Sequence, residues 1–77
     1  MSDQAKKQSE QVSGVSNLGF DLLTLLHNKL EGIAALEAYK ADAQGNQDVS
    51  SMLDQLQQTA VRDVQKLKPL LVKELGQ

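Results

Sequence analysis

The sequence predicts an all-α protein, an antiparallel helical hairpin of which two copies pair face to face as a four-helix bundle. Three observations carry that expectation. Apolar residues recur with the period of a helix through two long segments, and a single cluster of turn-forming residues, Gly45 to Asp48, separates them. Each apolar face is also wider than one partner helix covers.

Residues 1–16 are rich in Gln, Ser and Lys and have no apolar period, which predicts a disordered polar tail ahead of a hairpin domain over 17–77. The tail holds no apolar run of the kind a secretory signal or membrane anchor needs, so a cytoplasmic protein is expected. Ser16 or Asn17 then offers a capping oxygen to a first helix running to about Ala43. Turned at about 100° per residue, Leu18, Leu22, Leu23, Leu25, Leu26, Leu30, Ile33, Ala34, Leu36 and Ala41 share one half of its cylinder. Asp21, Thr24, Asn28, Glu31, Ala35, Tyr39 and Asp42 take the other half.

Gly45 is suited to a left-handed stop and Asn46 or Asp48 to a new cap, giving a connection of about four residues and hence antiparallel neighbours. In the second segment Val49, Met52, Leu53, Leu56, Ala60, Val64, Leu67, Leu70, Leu71 and Leu75 fall on one face, with Gln58, Arg62, Gln65 and Lys66 opposite. Pro69 interrupts the segment on its outer side near the end, where a bend of the last turn around a core is expected.

A chain of 77 residues without Cys and with one His lacks the disulfide and zinc staples that commonly support so small a core, which leaves oligomerisation. At ~1.5 Å per residue each helix is roughly 40 Å long. An uncovered stripe of that length exceeds the few hundred Å² of contiguous apolar surface that monomers expose. A homodimer is therefore expected, with Leu22, Leu26, Leu30, Ile33, Leu53, Leu56, Ala60, Val64 and Leu67 forming its core and interface.

A net charge of −2 and a pI near 5.1 oppose binding to a phosphate backbone, so no nucleic acid partner is expected. Arg62, Lys66 and Lys73 on one outer face read as a solvated surface with cations toward a helix C-terminus. The longest apolar runs, such as Leu22 to Leu26, fall far short of the ~20 residues of a transmembrane helix, so no membrane partner is expected either.

Few residues suggest chemistry. Glu37 lies between the directions of Leu26 and Leu30, with Lys29 and Lys40 near the direction of Leu22. A carboxylate on an apolar face is costly unless paired, protonated or metal-bound, and pairing with Lys40 or a lysine of another chain is the expected outcome. His27 and Glu31, four apart, read as an exposed pair, and Tyr39 as packing at a helix edge. Nucleophile elbows, phosphate loops and His pairs are absent, and Ser50 and Ser51 fit first-turn hydrogen bonding.

The run Ala35, Leu36, Glu37, Ala38, Tyr39, followed by Asp48 and a second amphipathic helix, resembles the short ferritin-like hairpins of bacteria over about Leu18 to Leu75. The resemblance implies two hairpins assembled as a ferritin-like four-helix bundle. Iron-binding members of that family carry a Glu seven residues before the Tyr and an E-x-x-H pair on the second helix. A gapless comparison from Tyr39 puts Gly32, Arg62 and Gln65 at those places. The residues left for a makeshift metal site are Glu31, Glu37 and Asp63, and Asp63 has Lys66 rather than His three residues on. The resemblance thus implies the fold without the metal site or a cofactor.

The expected function is that of a non-enzymatic dimeric hairpin with a structural or protein-interaction role. One alternative is a ferritin-like metal or oxidoreductase protein using Glu31, Glu37 and Asp63 across the dimer. Another is a subunit of a helical filament or secretion assembly, since short apolar hairpins also build those.

Overall fold

The computed structural model describes residues 13–76, so residues 1–12 of the expected tail lie outside the described residues. Within the described part, Val15 and Ser16 are half-buried rather than free in solvent. Two helices follow, α1 (Asn17–Asp42) and α2 (Gln47–Leu75), packed against each other as a hairpin.

Local chemistry accounts for the helix ends. Ser16 holds an extended backbone and its hydroxyl accepts the Gly19 N–H at 2.9 Å, satisfying one of the donors a helix start leaves free. At the second start the Asn46 side chain accepts the Val49 N–H at 3.2 Å. Of the expected caps, Ser16 and Asn46 are the ones used. Between the helices the chain turns through Gly45 at φ +88°, a left-handed backbone that an L side chain resists. The Ser50 hydroxyl donates to the Ala43 carbonyl at 3.0 Å, tying the first turn of α2 to the end of α1. Pro69 stands on the exposed side of α2, and the helix continues through it to Leu75.

The packed face is narrower than a half-cylinder. On α1 the seam runs Gly19, Leu22, Leu26, Lys29, Ile33, Leu36 and Lys40, with Ala43 in the turn, and on α2 Ser50, Leu53, Gln57, Ala60, Val64, Leu67, Leu71 and Glu74; Asn17, Asp63 and Ala35, the last expected on the polar half, are also half-buried but lie off this row. Steps of three and four alternate, the spacing of a coiled-coil seam. Along that seam the buried hydrophobic side chains are Ala43, Val64, Leu67 and Leu71, and among the described residues no large side chain is fully enclosed. Gly19 sits where the start of α1 meets the end of α2, since a Cβ there would lie 3.5 Å from a Leu75 methyl and 3.1 Å from the Ser16 hydroxyl.

Of the residues expected in the core, Leu22, Leu26, Ile33, Leu53, Ala60, Val64 and Leu67 lie on this seam. Leu30 and Leu56 stand beside it, each 50% exposed.

Candidate functional site: a polar layer between two apolar flanks

The seam divides the hairpin's surface into two broad sides. Heptad spacing sets Leu23, Leu30 and Glu37 along one edge of α1 and Leu18, Leu25, Gly32 and Tyr39 along the other. On α2 the matching edges are Asp54, Val61, Lys68 and Leu75, against Val49, Leu56, Asp63 and Leu70. Two shallow grooves confirm the sides. One is lined by Ile33, Glu37, Gln57, Gln58, Val61 and Arg62, the other by Tyr39, Asp42, Ala43, Asn46, Val49 and Leu53. We call these the Leu30 flank and the Leu56 flank. Large apolar side chains are solvent-exposed on both, including Phe20, Leu23 and Val61 on the first and Leu25, Tyr39 and Met52 on the second.

The charges expected on the apolar face prove to be seam residues and their neighbours. Lys40 occupies a seam position, and its ammonium reaches Asp54 at 3.1 Å, the Gln57 amide oxygen at 2.8 Å and Glu37 at 3.5 Å. Gln57, the seam residue opposite, donates to Glu37 at 2.8 Å and more weakly to the Ile33 carbonyl at 3.4 Å. This amide links the two helices' charges into one layer. Its donation to Glu37, followed by the field of the Lys40 ammonium, holds the Glu37 carboxyl below its ordinary value of 4.5. The hydrogen bond to Asp54 is the main cause that raises Lys40 above its ordinary 10.5. The second cross-helix ion pair joins seam residue Lys29 to Asp63 at 3.0 Å.

Glu37 is thus paired with Lys40 of its own chain, one of the two partners expected, and its side chain is 64% exposed rather than placed inside the apolar face. Gln57 escaped the sequence reading because it is one polar residue in an otherwise apolar row. The signal was its place in the Leu53, Gln57, Ala60, Val64 spacing.

Glu31, Glu37 and Asp63 are not brought together within one chain. Glu31 pairs with His27 at 3.0 Å on the outer surface, Glu37 belongs to the layer on the Leu30 flank, and Asp63 pairs with Lys29 beside the Leu56 flank. Among the described residues no group of three His, Cys, Asp or Glu side chains could hold a metal ion. Ser50 and Ser51 are engaged in local hydrogen bonds to Ala43 and Gln47. Among the described residues no helix is long and apolar enough to cross a membrane. Every buried side-chain polar atom among the described residues has a hydrogen-bond partner.

Comparison with known proteins finds no match to this chain among protein-family models, curated proteins or solved structures.

Proposed function

We propose that the chain acts by association rather than by catalysis, as a non-enzymatic hairpin that pairs with a second copy in a four-helix bundle and serves a structural or protein-interaction role. One observation carries this reading: the hairpin buries little on its own while its larger apolar side chains stay in solvent. Leu67 and Leu71 are 8% and 7% exposed, whereas Leu18, Phe20, Met52 and Leu70 are each more than half exposed. Leaving such stripes in water forgoes about 25 cal/mol for every Å² of apolar surface a partner would cover. Partner helices laid over a flank at the usual crossing near 20° recover that energy.

The presence of apolar residues on both flanks favours a second reading, in which dimers associate further through the flank left free, as subunits of a larger helical assembly do. Sedimentation separates the readings. Association predicts a mass of at least twice 8.4 kDa at micromolar protein, and growth beyond the dimer favours the larger assembly. A mass of 8.4 kDa throughout rejects both. Titration with ferrous, manganese and zinc ions tests the non-enzymatic part, because stoichiometric binding lost in Glu37→Gln would replace it with the metal-protein alternative.

A further inference from the structure

We infer that the second copy docks on the Leu56 flank, with both turns at the same end of the bundle and α1 of each copy lying over α2 of the other. The inference rests on the self-association reading above and specifies its surface and direction, a direction that differs from that of the ferritin-like bundle the resemblance implies, where the long crossover sets the two turns at opposite ends.

The flanks differ in charge. Directly beside the seam on the Leu30 side stand three charges, Glu37, Asp54 and Lys68, and the hydrogen-bonded layer of Glu37, Asp54 and Lys40 carries one excess negative charge toward the turn, with Arg62 at the outer margin of the same groove. A second copy placed there with its turn at the same end would meet the same excess. Of the positions directly beside the seam on the Leu56 side only Asp63 is charged, and it is paired with Lys29 at 3.0 Å, while Asp21, Asp42, Lys66 and Lys73 stand further out, two acids and two bases on the rim. Desolvating a compensated pair is less costly than desolvating an unbalanced cluster. The two largest dimensions of the hairpin, 52 and 24 Å, outline a face larger than the ~800 Å² per partner of a standard interface.

The ion pairs Lys29–Asp63 and Lys40–Asp54 fix which residues of the two helices stand level: Asp21 with Lys73, Leu25 with Leu70, Gly32 with Asp63, Tyr39 with Leu56. With α1 over the partner's α2 and the turns together, Leu25 meets the partner's Leu70 and Tyr39 meets the partner's Leu56. Gly32 meets the partner's Asp63 at a notch in the flank, since a Cβ at Gly32 would touch nothing within 4 Å. On the rim, Asp21 comes level with the partner's Lys73, and among the described residues neither has an ion-pair partner in its own chain. Reversing one copy lays α1 on α1 and α2 on α2, which carries Asp21 away from the partner's Lys73 and leaves both rim charges without an opposite charge.

The chain has no Cys, so single introduced thiols report proximity cleanly. Asn28 and Lys66 are exposed and level on the rim of the Leu56 flank; His27 and Gln65 are the equivalent exposed positions of the Leu30 flank. Under mild oxidation a mixture of Asn28→Cys and Lys66→Cys chains is expected to form the mixed disulfide as its main product, and a mixture of His27→Cys and Gln65→Cys chains to form little. Cross-linking of the His27 and Gln65 pair instead overturns the choice of flank. Cross-linking of Asn28→Cys with Ala35→Cys, which only the reversed arrangement brings close, overturns the direction. A dimeric mass without the Asn28 to Lys66 disulfide also overturns the inference while leaving the association reading intact, whereas a monomeric mass removes that reading itself.

Discussion

The seam of the hairpin is built differently at its two ends. Toward the open end it is formed mainly by Leu22, Leu26, Val64, Leu67 and Leu71, with Lys29 and Glu74 its charged members, and its deepest burial lies there. Toward the turn it carries Lys40, Gln57 and Ser50, joined by hydrogen bonds to Glu37, Asp54 and Ala43. Chain connectivity explains the division. Helix residues beside a short connection are held together at small entropic cost, so polar partners that add modest net stability suffice there. The far ends are separated by most of the chain, and apolar burial is what chiefly holds them, with the Lys29–Asp63 ion pair at the inner edge of that half.

That contrast yields predictions of decreasing size. Leu67→Ala should cost about 2–4 kcal/mol, because the side chain is buried in the half that depends on packing. Denaturant unfolding at fixed protein concentration measures it, and a cost no greater than that of Gln57→Ala would erase the distinction between the halves. Gly45→Ala should cost about 1–2 kcal/mol through its positive φ, with the helices otherwise unchanged by circular dichroism. Gln57→Ala should cost about 1 kcal/mol, since its hydrogen bonds are partly solvated.

The smallest effect is on the pH profile. Glu37 is held below its ordinary 4.5, so its contribution is complete above that value and is lost as pH falls below it through the lowered folded value; Lys40 is held above its ordinary 10.5, so its contribution is complete below that value and is lost as pH rises above it through the raised folded value. The layer is therefore intact between those limits. Melting temperatures of the wild type and Glu37→Gln, followed from pH 7 to about pH 3, should converge as acid protonates Glu37. A constant gap across that range would mean that Glu37 ionisation does not contribute.

Sequence alone revealed the helices and their ends because the signals are local: Ser16, Gly45 and Asn46 act within a few residues of where they stand. The division of the apolar face was not legible. A helical wheel adds up the directions of Leu22, Leu23, Leu25, Leu26 and Leu30 and returns one broad half, whereas the antiparallel partner selects a narrow row from it. That row includes Lys29 and Lys40 and leaves Leu23, Leu25 and Leu30 beside it. Long lysine side chains make this tolerable, since their stems lie along the seam while the ammonium groups reach acids on α2. The polar layer depends on which residue of α2 stands opposite Lys40, a non-local fact that periodicity does not contain.

The central claim, that this hairpin is half of an assembly, is tested most directly by thermal melting at protein concentrations spanning about a hundredfold, because association makes stability depend on concentration. The account predicts a melting temperature that rises steadily with concentration, and a smaller rise in Leu56→Ala, whose half-exposed side chain is assigned to the second copy. A single melting temperature at every concentration, with a monomeric mass, would contradict it.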